Sequence, residues 1–170
     1  LNITINCLDR YIGTPAALRP AVIWEGEDGA IRTLTYSDLF HQVNQAANGL
    51  RSLGLDKGDV IGLFMPMIPE IVVAMLAIAR IGGIILPLFS GYGSGAIATR
   101  LSDASAKALL TADGVYRRGK PFDIKSIADQ AAEEIPSLRH MIVIERIGTD
   151  IPMQSGRDIW WHTLIDHQPI

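Results

Sequence analysis

Apolar positions along this chain follow two rhythms, and the two alternate from one end to the other. Short continuous apolar runs lie at Val60–Met65 and Ile84–Phe89, and His140–Glu145 reads as a further strand. Such runs, bounded by turn residues, suit parallel strands covered on both faces. Between them the apolar positions repeat every three to four residues. Leu39, Val43, Ala46, Ala47, Leu50 and Leu53 predict a helix. Thr35-Tyr-Ser-Asp38 has the form of a capping box at its start, and Gly54 is a natural stop. Pro69 opens a second helix through Ile81, with Glu70 in the first turn where the dipole favours a negative charge, and Gly82 and Gly83 end it.

The flanks are read the same way. Asn6 is expected to cap a short helix through Cys7, Leu8, Tyr11 and Ile12, closed by Gly13 and Pro15. Pro20–Trp24 and Ile31–Leu34 predict a hairpin around the turn Gly26–Gly29. Ile124–Glu134 predicts a helix ended before Pro136, Gly148–Gly156 a loop, and Asp158–Ile165 a helix carrying Trp160 and Trp161. Strands alternating with helices specify an α/β fold, a mostly parallel sheet flanked by helices and joined by right-handed crossovers. No internal repeat, low-complexity tract or linker divides the chain.

Candidate chemistry concentrates between Leu86 and Lys120. A buried strand empties into the glycine-rich loop Gly91-Tyr-Gly93-Ser-Gly95 at a helix start, where free backbone N–H groups can meet an anion. A second strand then delivers Thr111-Ala-Asp113-Gly114 to the carboxyl edge of the sheet, next to Arg117, Arg118, Gly119 and Lys120. Arginine forks and a lysine at that edge suit a phosphate. Two plainer readings stand beside this one: a crossover loop that uses glycines for tight turns, and a solvated basic turn. A nicotinamide site with Asp113 on the ribose is a decoy, because the glycine spacing is not G-x-G-x-x-G and the strand is not the first of the sheet.

Composition narrows the function class. The net charge of −3 argues against a nucleic-acid partner, whose basic footprint should dominate. Hydrophobic residues make up 48% and charged residues 19%, which suits a packed interior. The apolar region Ile68–Phe89 is broken by Glu70, Arg80, Gly82, Gly83 and Pro87, so a buried helix and strand explain it better than a membrane span. Cys7 is the only cysteine, which leaves no disulfide framework and fits a reducing, cytoplasmic setting. The four histidines show no metal spacing. No G-x-S-x-G elbow or Walker A loop occurs, and no catalytic or metal-ligating residue is assigned.

Several words of the sequence go further. Asn6-Cys-Leu-Asp-Arg10, Ile23-Trp-Glu-Gly26, Arg32-Thr-Leu-Thr-Tyr36, Lys57-Gly-Asp59, Phe64-Met-Pro-Met-Ile-Pro-Glu70, Ala74-Met-Leu-Ala77 and Ala79-Arg-Ile-Gly82 are such segments. With Thr111-Ala-Asp-Gly114, Gly156-Arg-Asp158 and Trp160-Trp-His162, they resemble the AMP-forming acetyl-coenzyme A and short-chain acyl-CoA synthetases of the adenylate-forming superfamily.

The resemblance implies an acid–thiol ligase. A short-chain carboxylate and Mg-ATP give acyl-AMP and pyrophosphate, and the CoA thiol then displaces AMP. It implies that Arg117, Arg118, Gly119 and Lys120 hold the CoA phosphates while Phe89, Ser90 and Gly91 border the pantetheine arm. Members usually carry two glycines after the matching phenylalanine, so Ser90 points to a related short-chain or branched-chain acid as an option. The family's ATP-phosphate loop, adenine and ribose motifs and catalytic lysine do not occur in these residues. Residues 1–170 are thus expected to be part of an AMP-binding domain, inactive alone and completed by the remainder of a ligase chain. A non-catalytic module that binds CoA or a partner protein is the alternative.

Overall fold

The continuous apolar runs become parallel strands of one sheet. In the computed structural model, which describes residues 2–170, the chain opens with α1 (Ile3–Cys7) and two short 3-10 turns. An antiparallel hairpin follows, β1 (Pro20–Glu25) and β2 (Ile31–Thr35), then α2 (Tyr36–Ser52), β3 (Val60–Leu63), α3 (Pro69–Ile81) and β4 (Ile84–Pro87). Next come α4 (Ser94–Asp103), β5 (Ala108–Ala112), a second hairpin of β6 (Val115–Arg117) and β7 (Lys120–Phe122), and α5 (Lys125–Ala132). The chain finishes with β8 (His140–Ile144), β9 (Asp158–Trp160) and α6 (Trp161–Ile165).

The main sheet has five strands in the order β4-β3-β5-β8-β9, all parallel. Its path explains where the helices lie. The step from β3 to β4 moves one way along the sheet, whereas the steps from β4 to β5 and from β5 to β8 move the other way. Right-handed crossovers then place α3 on one face and α4 with α5 on the opposite one. The contacts agree: α2 packs on α3 and α6, and α4 packs on α5. Covered on both faces, β5 is buried at every residue and β8 at all but His140. Gly62 marks a close approach of α4 to the sheet, since a Cβ there would lie 2.6 Å from Leu101 of α4 and 2.9 Å from Leu109 of β5.

The capping box is as expected. Thr35 Oγ1 accepts the Asp38 N–H at 3.1 Å while Asp38 accepts the Thr35 N–H at 2.9 Å, and the Thr35 hydroxyl bond holds the Asp38 carboxyl below its usual range. Three expectations are corrected. Asn2, not Asn6, caps α1: its Oδ1 accepts from Thr4 N–H while its amide donates to the Ala79 and Arg80 carbonyls at the end of α3. A long-range contact therefore selects the cap, and the helix stops at Cys7. The stretch from Asp158 begins as strand rather than helix, because Asp158, Ile159 and Trp160 extend the sheet beside Met141, Ile142 and Val143. The basic segment is not a bare loop but the β6–β7 hairpin, with Arg117 opposite Lys120. Its two-residue turn, Arg118-Gly119, has φ of 52° and 72°, the double left-handed geometry of a type I′ hairpin.

A buried ionic cluster ties α5 to the sheet edge. The Lys125 side chain is 1% exposed, yet its Nζ donates to both oxygens of Asp129 at 2.7 and 2.8 Å, to Asp158 at 2.9 Å and to the Pro152 carbonyl at 3.2 Å. Arg157 joins both aspartates, reaching Asp158 through Nε at 2.6 Å. Burial pushes the Asp158 carboxyl up, but the bonds from Arg157, Lys125 and the Gln154 N–H outweigh it and hold the group below its usual range. The Asp158 hydrogen bond raises Arg157 in turn.

Candidate functional site

Ligands of open α/β sheets bind outside the carboxyl ends of the strands, where the direction of winding reverses. Here that reversal lies between β3 and β5. Residues leaving these strands, Phe64–Ile68 and Asp113–Tyr116, surround it, and β8 adds Glu145 and Arg146.

Asp113 holds this edge together. It is 1% exposed, and its carboxylate accepts backbone N–H bonds from Arg146 at 2.7 Å, Ile147 at 3.1 Å, Gly148 at 2.7 Å and Thr149 at 3.2 Å. With its lone pairs occupied inside the fold, Asp113 is not free for a ribose, which removes the dinucleotide reading. The loop comes so close that a Cβ on Gly114 would lie 2.3 Å from Ile147 Cδ1 and 3.0 Å from the Phe122 carbonyl oxygen.

The β6–β7 hairpin projects from this clamp with two different faces, because alternate strand residues point opposite ways. Val115, Arg117, Lys120 and Phe122 share one face, and Tyr116 with Pro121 the other. On the first face the Arg117 guanidinium lies 4.4 Å over the Phe122 ring and donates through Nη2 to the Ser90 carbonyl. That bond joins the segments Phe89–Gly91 and Arg117–Lys120. Phe89 is 69% exposed, its ring edge-to-face with Tyr92 at 5.8 Å and folded over Gly91, where a Cβ would lie 2.5 Å from Phe89 Cε1. Arg118 and Lys120 are exposed, and the Gly119 N–H donates to Glu27 Oε2 at 3.1 Å. Arg100 stacks 4.4 Å over Tyr92. The N-terminus of α4, after Gly93, carries no side-chain cap.

Tyr116, on the second face of the hairpin, and Val115 at its base line a cleft of about 280 Å³ over the winding reversal. The β1–β2 hairpin roofs it, pinned by the Trp24 indole N–H on the Met67 carbonyl at 2.6 Å and by Arg32 on Glu70 at 2.7 Å. Gly26 has to be glycine here, since a Cβ would lie 2.7 Å from Trp24 Cη2 and 2.5 Å from Asp28 Oδ1. Arg146 lies between the Trp24 and Tyr116 rings, 5.1 and 5.6 Å from their centroids. Sequence reading missed this cleft because its parts come from four separated segments, none of which carries a motif for it. A second cleft, of about 320 Å³, is lined by Glu70, Ile144, Glu145, Trp161 and His162. His162 is exposed and stacks on Trp160 at 5.9 Å, while Trp161 is core, and His41 is exposed on α2.

Among the described residues, no three His, Cys, Asp or Glu side chains are grouped to hold a metal ion, and no helix is long and apolar enough to cross a membrane.

Residues 13–162 match the family model described as AMP-binding enzyme. The chain is 46% identical over 174 residues to an acetyl-coenzyme A synthetase of Rhodopirellula baltica, covering 99% of this chain and 26% of that protein. It is 47% identical over 170 residues to the acetyl-coenzyme A synthetase of Deinococcus radiodurans, again covering 26% of the relative. In structure it matches an acetoacetyl-CoA synthetase from Streptomyces lividans with a TM-score of 0.89 and 30% identity, over 100% of this chain and 26% of that one. The chain thus spans about a quarter of the length of the curated relatives it matches.

Proposed function

The chain belongs to the AMP-binding enzyme family, and from that premise we propose that it forms the CoA-facing wall of an acid–thiol ligase. In that reaction a short-chain carboxylate attacks the α-phosphate of Mg-ATP and releases pyrophosphate. The CoA thiol then attacks the acyl carbon of acyl-AMP and AMP leaves. Acetate, or a short-chain or branched-chain relative, is the acid. The likeness to proteins named acetyl-coenzyme A synthetase supports this reading, and a free, exposed Cys7 fits a cytoplasmic setting.

One observation carries the assignment of the wall: the bond from Arg117 to the Ser90 carbonyl, which makes one surface of the segments on either side of it. On that surface Arg117, Arg118 and Lys120 present charged donors to the CoA phosphates around a Gly119 turn. Phe89, Ser90 and Gly91 offer an apolar ring and open backbone to the pantetheine arm. ATP is assigned to the remainder of the ligase, since a Ser/Thr/Gly-rich phosphate loop with a lysine does not occur in residues 1–170.

Calorimetric titration of CoA into the ligase tests the wall. Arg117→Ala/Lys120→Ala is expected to weaken CoA binding at least about tenfold and to flatten its salt dependence, since each charge-assisted bond is worth about 1.5–3 kcal/mol. Unchanged affinity would overturn the assignment. Tight, salt-sensitive CoA binding by a protein that never activates an acid would instead make these residues a non-catalytic module.

A further inference from the structure

Arg146 stands apart from its peers. Four arginines are half-buried among the described residues: Arg80, Arg117, Arg146 and Arg157. Arg80 bonds Asp9, Arg117 bonds the Ser90 carbonyl and Arg157 bonds Asp129 and Asp158. The Arg146 side chain contacts two aromatic faces and no protein acceptor. A guanidinium lying over aromatic rings makes cation–π contacts that use none of its N–H donors, which stay available as a fork matched to a carboxylate. Its position is fixed from below, because the Arg146 backbone N–H is one of the four that Asp113 accepts.

The setting favours a small anion with an apolar body. Met67, Ile68 and Val115 supply apolar wall beside the guanidinium. The cleft sits over the winding reversal between β3 and β5, where open α/β sheets take ligands, and its 280 Å³ lies at the small end for a ligand pocket. Two carboxylates lie on its border. Glu27 is engaged by the Gly119 N–H, and strand alternation turns Glu25 to the face opposite Trp24. The side chains of Arg117 and Lys120 proposed for CoA lie on the hairpin face opposite Tyr116, and the Gly119–Glu27 bond joins the borders of the two sites.

We propose that this cleft is a second, separate anion site that takes the carboxylate of a small aliphatic acid on the Arg146 fork, with the acid's hydrocarbon part against Met67, Ile68 and Val115.

The test is a 1H–15N NMR titration of the Trp24 indole N–H and the Arg146 Nε–H with butyrate, butylammonium and inorganic phosphate. Butyrate is expected to shift both signals saturably, butylammonium neither, and phosphate to bind at least about tenfold more weakly because it gains nothing from the apolar wall. Arg146→Gln should weaken butyrate at least about tenfold, the loss of one charge-assisted fork, and Arg117→Ala should leave it unchanged. Should Arg146→Gln fail to fold, Arg146→Lys, which keeps the charge and loses the fork, should weaken butyrate in the same direction. Shifts that never saturate, butyrate binding that survives loss of the fork, or phosphate binding as tight as butyrate would each overturn the proposal.

Discussion

Two clusters of charge lie on either side of the turn from the β6–β7 hairpin into α5, the first completed by Arg157 and Asp158 at β9, and they differ in what their charges are for. In the first, Lys125, Asp129, Arg157 and Asp158 use their donors and acceptors on one another inside the protein. In the second, Arg118 and Lys120 face solvent while Arg117 is half-buried, and the one strong bond among them, from Arg117, goes to a backbone carbonyl. Charges satisfied inside the fold hold structure. Charges left with open donors at the carboxyl edge of a parallel sheet are available to a ligand. Their partners separate the two clusters.

The comparison can be broken by substitution, and the buried cluster should give the largest effect. Lys125→Met leaves Asp158 buried with Arg157 as its only cation, so stability is expected to fall by about 3 kcal/mol in urea unfolding. The same cluster predicts a pH dependence. The Asp158 carboxyl is held below its usual value in the folded state, so its contribution is complete above the unfolded value of about 4 and is lost as pH falls through the lower folded one. The urea midpoint should therefore drop below about pH 4, and drop less steeply in Lys125→Met, where one of the groups that hold Asp158 low is gone.

Asp113→Asn comes next. The amide keeps one acceptor oxygen and turns an NH2 group toward backbone N–H donors, so a loss of about 2 kcal/mol is expected, with faster hydrogen exchange at Arg146–Thr149. The smallest effect belongs to the exposed cluster. Arg118 adopts φ of 52°, a conformation asparagine tolerates better, so Arg118→Asn should raise stability by about 0.5 kcal/mol and leave the fold unchanged. A loss of more than about 1 kcal/mol there would mean that Arg118 has a structural partner.

What could be read from the sequence follows the range of the interactions. The Thr35–Asp38 box, the α3 stop at Gly82 and the buried strands β3, β5 and β8 rest on neighbours in the chain or on a repeat of one face, and all were legible. Partners distant in sequence were not. Asn2 is chosen as a cap by carbonyls 77 and 78 residues away. Glycine spacing already argued against a ribose role for Asp113, but its actual partners, N–H groups 33 to 36 residues later, were not legible. The strand at Asp158–Trp160 exists because β8 offers an edge to pair with. The candidate site divides the same way. The residue types at Phe89–Gly91 and Arg117–Lys120 were legible, whereas the bond that joins them and the Trp24–Arg146–Tyr116 stack needed the fold.

As proposed, Arg117, Arg118 and Lys120 serve the thiol half of the ligase reaction and not its adenylation half. The most direct test of that division compares two rates in the ligase carrying Arg117→Ala/Lys120→Ala. One is acid-dependent exchange of pyrophosphate into ATP, which needs no CoA, and the other is acyl-CoA formation as CoA is varied. Exchange should be unchanged and the KM for CoA raised at least about tenfold. An unchanged KM for CoA, or exchange that falls as far as thioester formation, would contradict it.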